Sequence, residues 1–75
     1  MLITLTQSDN KIQVMFNGIT HIQFYKRDFI ALQTFIEDNG YYTLEIYLKR
    51  ISEPLKCEYT KRDTWEQVIK LLSEL

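Results

Sequence analysis

Apolar and polar positions alternate with period two along most of this chain and change to a helical period only near its end. In Leu2–Thr6, Ile3 and Leu5 share one face and Thr4 and Thr6 the other, the signature of a half-buried strand. Lys11–Phe16 repeats the pattern with Ile12, Val14 and Phe16. Ser8-Asp9-Asn10 between them is turn chemistry, so the first two strands read as a hairpin. Asn17-Gly18 tolerates positive φ at both positions and predicts a second tight turn. A third strand follows over Ile19–Tyr25, with Ile22 and Phe24 inward and His21, Gln23 and Tyr25 outward.

Phe29–Ile36 admits two readings. As a strand it puts Ile30, Leu32 and Ile36 on one face and Phe29, Ala31 and Phe35 on the other. As a helix it gathers Phe29, Leu32, Phe35 and Ile36 on a stripe between Asp28 as N-cap and Gly40 as stop. Periodicity leaves residues 28–38 open, and we carry the strand forward, with Glu37-Asp38-Asn39-Gly40 as a hairpin loop. Tyr41–Arg50 alternates most cleanly: Tyr42, Leu44, Ile46 and Leu48 against Tyr41, Thr43, Glu45, Tyr47 and Lys49. Pro54 cannot donate a ladder bond, so it precedes one more strand, in which Leu55, Cys57 and Tyr59 share a face. Trp65, Val68, Ile69 and Leu72 then fall at helical spacing. Thr60 with Asp63 suggests a capping box, and Trp65 an anchor onto the sheet. The expected fold is therefore α+β: an antiparallel β-meander of about five or six strands, closed by one C-terminal amphipathic helix packed on the sheet.

The opening Met1-Leu2-Ile3-Thr4-Leu5-Thr6, the Ile19-Thr20-His21-Ile22 segment after an Asn-bearing turn, and the apolar strand leading into Asn39-Gly40 resemble the short FlbD-like proteins. Asn17 stands closer to Ile19 than that pattern places it, and Leu55–Tyr59 adds a strand. The plan as a whole is similar to a reduced pleckstrin-homology-like domain. These resemblances imply a small interaction or regulatory module and no catalytic residues.

Composition narrows the function classes. Seventy-five residues make a single domain with a modest core. An aromatic content of 13% supplies the area such a core needs. Nine basic and ten acidic residues give a net charge of −1, unlike a dedicated nucleic-acid binder. Cys57 is the single cysteine, so no internal disulfide forms, and a cytoplasmic location is expected. No run reaches the length of a membrane-spanning helix, and the N-terminus lacks signal-peptide features, so no membrane partner is expected.

Candidate chemistry is sparse. His21 is the single histidine, and one His with one Cys falls short of a zinc set, so it reads as an exposed strand residue. Cys57 alternates with Leu55 and Tyr59 and reads as a core thiol, although a dyad with His21 stays open. Glu37 and Asp38 are adjacent, not facing, and serve a turn better than hydrolysis. No phosphate loop, nucleophile elbow or metal spacing occurs, so neither an enzyme nor a cofactor or metal is expected.

Two surface patterns remain. One terminal helix covers one sheet face, leaving Phe29, Phe35, Tyr41 and Tyr47 on the other as a candidate contact surface for a protein partner or for self-association. The alternative is nucleic-acid binding. The doublets Lys26-Arg27 and Lys49-Arg50 end strands that run the same way, and with Lys56 they form a candidate basic patch. Lys61-Arg62 falls near the other end.

Overall fold

The computed structural model describes residues 1–75. Six strands precede one helix: β1 (Ile3–Ser8), β2 (Lys11–Phe16), β3 (Ile19–Tyr25), β4 (Phe29–Ile36), β5 (Tyr42–Leu48), β6 (Leu55–Tyr59) and α1 (Arg62–Ser73). The ambiguous segment is thus a strand. The strands do not form one continuous meander, however. They form two antiparallel sheets of three, ordered β1-β2-β3 and β4-β5-β6. A 3₁₀ turn at Lys26–Asp28 makes the break, and no ladder joins β3 to β4.

The turns follow from their residues. Asp9 and Asn10, and then Asn17 and Gly18, all take positive φ, the requirement of a tight type I′ connection between twisted strands. Both asparagines also work as clamps. Asn17 Oδ1 accepts the Leu2 amide at 2.8 Å, while Asn10 Oδ1 accepts the Arg27 amide at 3.1 Å.

Splitting the meander lets the inner faces of both sheets share one core with the helix. Ile12, Val14, Ile22, Phe24, Leu44, Ile46, Leu48 and Tyr59 meet Trp65, Val68 and Leu72 there. The expected helical stripe is therefore the buried one, with Ile69 half-buried beside it. Trp65 donates its indole N–H to the Thr43 carbonyl at 3.0 Å, which anchors α1 on the central strand β5. The capping box does not form: the N-cap is Lys61, so Asp63 falls one position too early for the reciprocal bond. Asp63 still lies in the first turn, where the helix dipole favours an acid.

Two bulges change which way side chains point. Phe29 pairs with Leu48 and Ala31 with Tyr47, so Ile30 is an extra residue in β4. Its insertion turns Phe29 inward, stacked on Phe24 with ring centroids 5.8 Å apart. Phe29 therefore belongs to the core side and not to the outer contact surface, because the strand's period is interrupted between it and Ala31. In β3, Val14 pairs with Ile22 and Met15 with Thr20, which leaves His21 as the extra residue.

Candidate functional site

The outer face of the second sheet is not bare. Thr43 lies at its centre, in register between Phe35 of β4 and Glu58 of β6, and is fully buried despite its polar side chain. Its hydroxyl donates to Glu37 Oε1 at 3.1 Å, and Lys56 Nζ stands 3.8 Å from the same carboxylate oxygen. The Tyr47 hydroxyl lies 2.9 Å from Glu45 Oε1 and 3.0 Å from Gln33 Oε1. The bond to the Glu45 carboxylate raises the Tyr47 phenol above its ordinary value. Tyr47 is half-buried and its polar tip is engaged, so this face is laced by its own side chains.

What remains open is the edge of that sheet. β4 has β5 on one side and no strand on the other. Six of its eight residues are exposed, among them Ile30 at 57%, Phe35 at 38% and Ile36 at 60%. Tyr41, just before β5, is 40% exposed and closes the same hairpin. Phe35, Ile36, Glu37, Asp38 and Asn39 line a shallow depression of about 590 Å³ at its tip.

Backbone geometry fixes what the edge offers. The Glu37 amide donates to the Tyr41 carbonyl at 2.8 Å, so Glu37 points its backbone groups at β5. Period-two alternation then directs Phe35, Gln33 and Ala31 toward β5 as well. Leu32, Thr34 and Ile36 direct their N–H and C=O groups outward, where no strand receives them. Unpaired groups on a long, uncharged strand are a template for another strand. The other edges are managed. The bulged His21 interrupts β3, Lys56 and Glu58 charge β6, and α1 packs against β1.

At the opposite end of β4, the Lys49 amide donates to the Asp28 carbonyl at 2.8 Å. This bond brings the doublets Lys26-Arg27 and Lys49-Arg50 together, and all four side chains are exposed. The Arg27 guanidinium lies 5.1 Å from the centre of the Tyr25 ring. Lys56 does not join them, because β6 carries it toward Glu37 at the far end of β4. Beside the doublets, Lys11, Tyr25, Asp28, Leu48 and Ile51 help line a cleft of about 220 Å³.

The third cluster sits between the sheets. Being the bulged residue, His21 turns across to β6, stacks on Phe16 at 4.2 Å and places Nε2 2.7 Å from the Tyr59 hydroxyl. Desolvation lowers the His21 pKa, so the ring is neutral near pH 7. Burial, with Cys57 beside it, holds the Tyr59 phenol far above its ordinary value. The imidazole tautomer sets the direction of this hydrogen bond: Nε2 accepts from the Tyr59 hydroxyl when Nδ1 carries the proton and donates to it when Nε2 does. Cys57, two residues earlier on the same face, is half-buried, and burial pushes its thiol up. The ring of His21 thus meets Tyr59, whereas the sequence left open a dyad with Cys57. A neutral thiol beside a protonated phenol is a poor nucleophile, and the contact joins β3 to β6. No three His, Cys, Asp or Glu side chains gather into a group able to hold a metal ion. No helix is long and apolar enough to cross a membrane.

The sequence pointed to Phe35, Tyr41 and the two doublets, and the structure exposes all of these. It missed Ile36 and Ile30, since their exposure depends on β4 being an edge, and strand order is not written in periodicity. No protein-family model, curated protein or solved structure matches the chain. The FlbD-like and pleckstrin-homology-like resemblances therefore rest on pattern and layout alone.

Proposed function

We propose that this chain is a non-enzymatic binding module that docks a protein strand along the free edge of β4, in a reducing, cytoplasmic setting that suits its lone Cys57. The observation that carries this reading is the outward backbone of Leu32, Thr34 and Ile36 on an uncharged strand with exposed Phe35 and Ile36 beside it. Tyr41 extends the contact at the hairpin, since tyrosine combines apolar area with a polar tip.

A proline at Thr34 tests it. The Thr34 N–H points outward, so Thr34→Pro removes an edge donor while leaving the β4–β5 ladder intact. Extended peptides selected from a displayed random library on the wild-type protein should bind the Thr34→Pro variant about ten-fold more weakly or worse. Selected peptides that bind both proteins equally would remove the edge from consideration. Unchanged Trp65 fluorescence and thermal melting would show that the variant is folded.

A second reading, nucleic-acid binding, is favoured by the convergence of Lys26, Arg27, Lys49 and Arg50 beside Tyr25. Phosphate contacts make affinity fall steeply with salt. Single-stranded and duplex DNA and RNA should then bind at low salt and lose that binding in the Arg27→Glu, Lys49→Glu double variant. Absence of binding at low salt removes this reading.

A further inference from the structure

We propose that the strand received by the β4 edge is β4 of a second copy, paired antiparallel with Thr34 opposite Thr34 of that copy. The inference rests on the edge-docking reading above. The two second sheets would fuse into one sheet of six strands across a two-fold axis.

Backbone geometry selects this register. Directly opposite residues in an antiparallel ladder must both point toward the partner or both away, and must share a sheet face. Centring on Thr34 sets Leu32 opposite Ile36, Thr34 opposite Thr34 and Ile36 opposite Leu32, so every outward N–H and C=O of these residues meets its complement.

The side chains agree. On the inner face, the exposed Ile36 comes to lie beside Leu32 of the second copy, which already packs on the core. That contact extends the core across the axis. On the outer face, Phe35 lies beside Gln33 of the second copy. The Thr34 pair is polar, uncharged and β-branched, a favourable cross-strand pair.

Charge identifies the occupant as a second copy. A two-fold axis sets central residues against themselves, where a charge would repel its own image. Phe29–Ile36 contains no charged residue, in a chain that is 25% charged. The flanks of the strand differ in sign: Lys26-Arg27-Asp28 precedes it with one net positive charge and Glu37-Asp38 follows it with two negative charges. Antiparallel pairing lays each acidic turn toward the basic start of the other copy.

Sedimentation velocity of the full chain over a wide concentration range should show mass rising from 9.1 kDa toward twice that value. Thr34→Lys and Thr34→Glu, each alone, should raise the dimer dissociation constant about ten-fold or more, because like charges directly opposite repel. An equimolar mixture of the two should restore the dimer, since each lysine then faces a glutamate. Circular dichroism confirms that both variants fold. A wild type that stays monomeric throughout overturns the second-copy pairing. So do single variants that dimerise like the wild type, or a mixture that fails to recover. If such a monomer still selects peptides that Thr34→Pro rejects, edge docking stands and the second copy alone falls.

Discussion

His21 is exposed, as alternation implies, and one extra backbone step also makes it a contact residue. The bulge turns its ring onto Phe16 and into reach of Tyr59, where desolvation lowers its pKa. With the folded pKa below the unfolded one, the unfolded chain binds more protons between the two values, so stability rises with pH through that window. The contribution is complete above the ordinary histidine pKa of about 6.5 and is lost as the pH falls below it. Thermal midpoints from pH 7.5 down to 5 should decline, and His21→Gln should flatten that decline. The neighbouring Cys57 behaves differently. Half-buried and with a raised thiol pKa, it should react with iodoacetamide far more slowly in the native protein than in urea. Rapid native alkylation would reopen the case for thiol chemistry. At Trp65, Trp65→Phe keeps much of the buried area but removes the indole donor from the Thr43 carbonyl, which retains its ladder partner Phe35. The expected loss is about 0.5–1.5 kcal/mol for that hydrogen bond, measured by urea denaturation.

At the scale of elements, the sequence specified kinds and boundaries better than neighbours. The alternation of Ile12, Val14, Leu44, Ile46 and Leu48 marked core positions because burial on one sheet face imposes period two. Asn17-Gly18 marked a turn because positive φ is cheap for those residues. The face of Phe29 was not legible, since a bulge slips the period by one residue and leaves no composition signal. Nor was the burial of Thr43, which depends on what β4 and β6 carry beside it. Of the candidate site, Phe35, Tyr41 and the two doublets were legible as exposed positions, whereas the free edge required strand order. The β4 bulge yields its own prediction. Deleting Ile30 removes the extra residue and leaves a regular ladder in which Phe29 still pairs with Leu48 and faces Phe24. That deletion variant should fold with a stability change within about 1 kcal/mol. Deleting Gln33 instead, in the regular part of β4, would flip the residues on one side of it to the wrong face and should cost several times more. Chemical denaturation of the two variants compares them directly.

The whole molecule is two small sheets that neither pair with each other nor cover their own ends, and α1 closes the gap. Trp65, Val68 and Leu72 are three of the eleven residues in the buried cluster, and they meet β5, β6 and β1 together. Burying a large apolar side chain contributes about 1.5–3 kcal/mol. Three of them are therefore comparable with the entire stability expected of a chain this size, about 4–11 kcal/mol. The helix is consequently an integral part of the fold, and the sheets do not form a platform without it. A chain ending at Thr60 should lack a cooperative thermal transition, and its tyrosine near-ultraviolet dichroism should collapse. Supplying residues 61–75 as a separate peptide at high concentration should bring the transition back, because the stripe that seals the core then returns without the covalent link. A truncated chain that melts cooperatively on its own would show instead that the two sheets close on each other unaided.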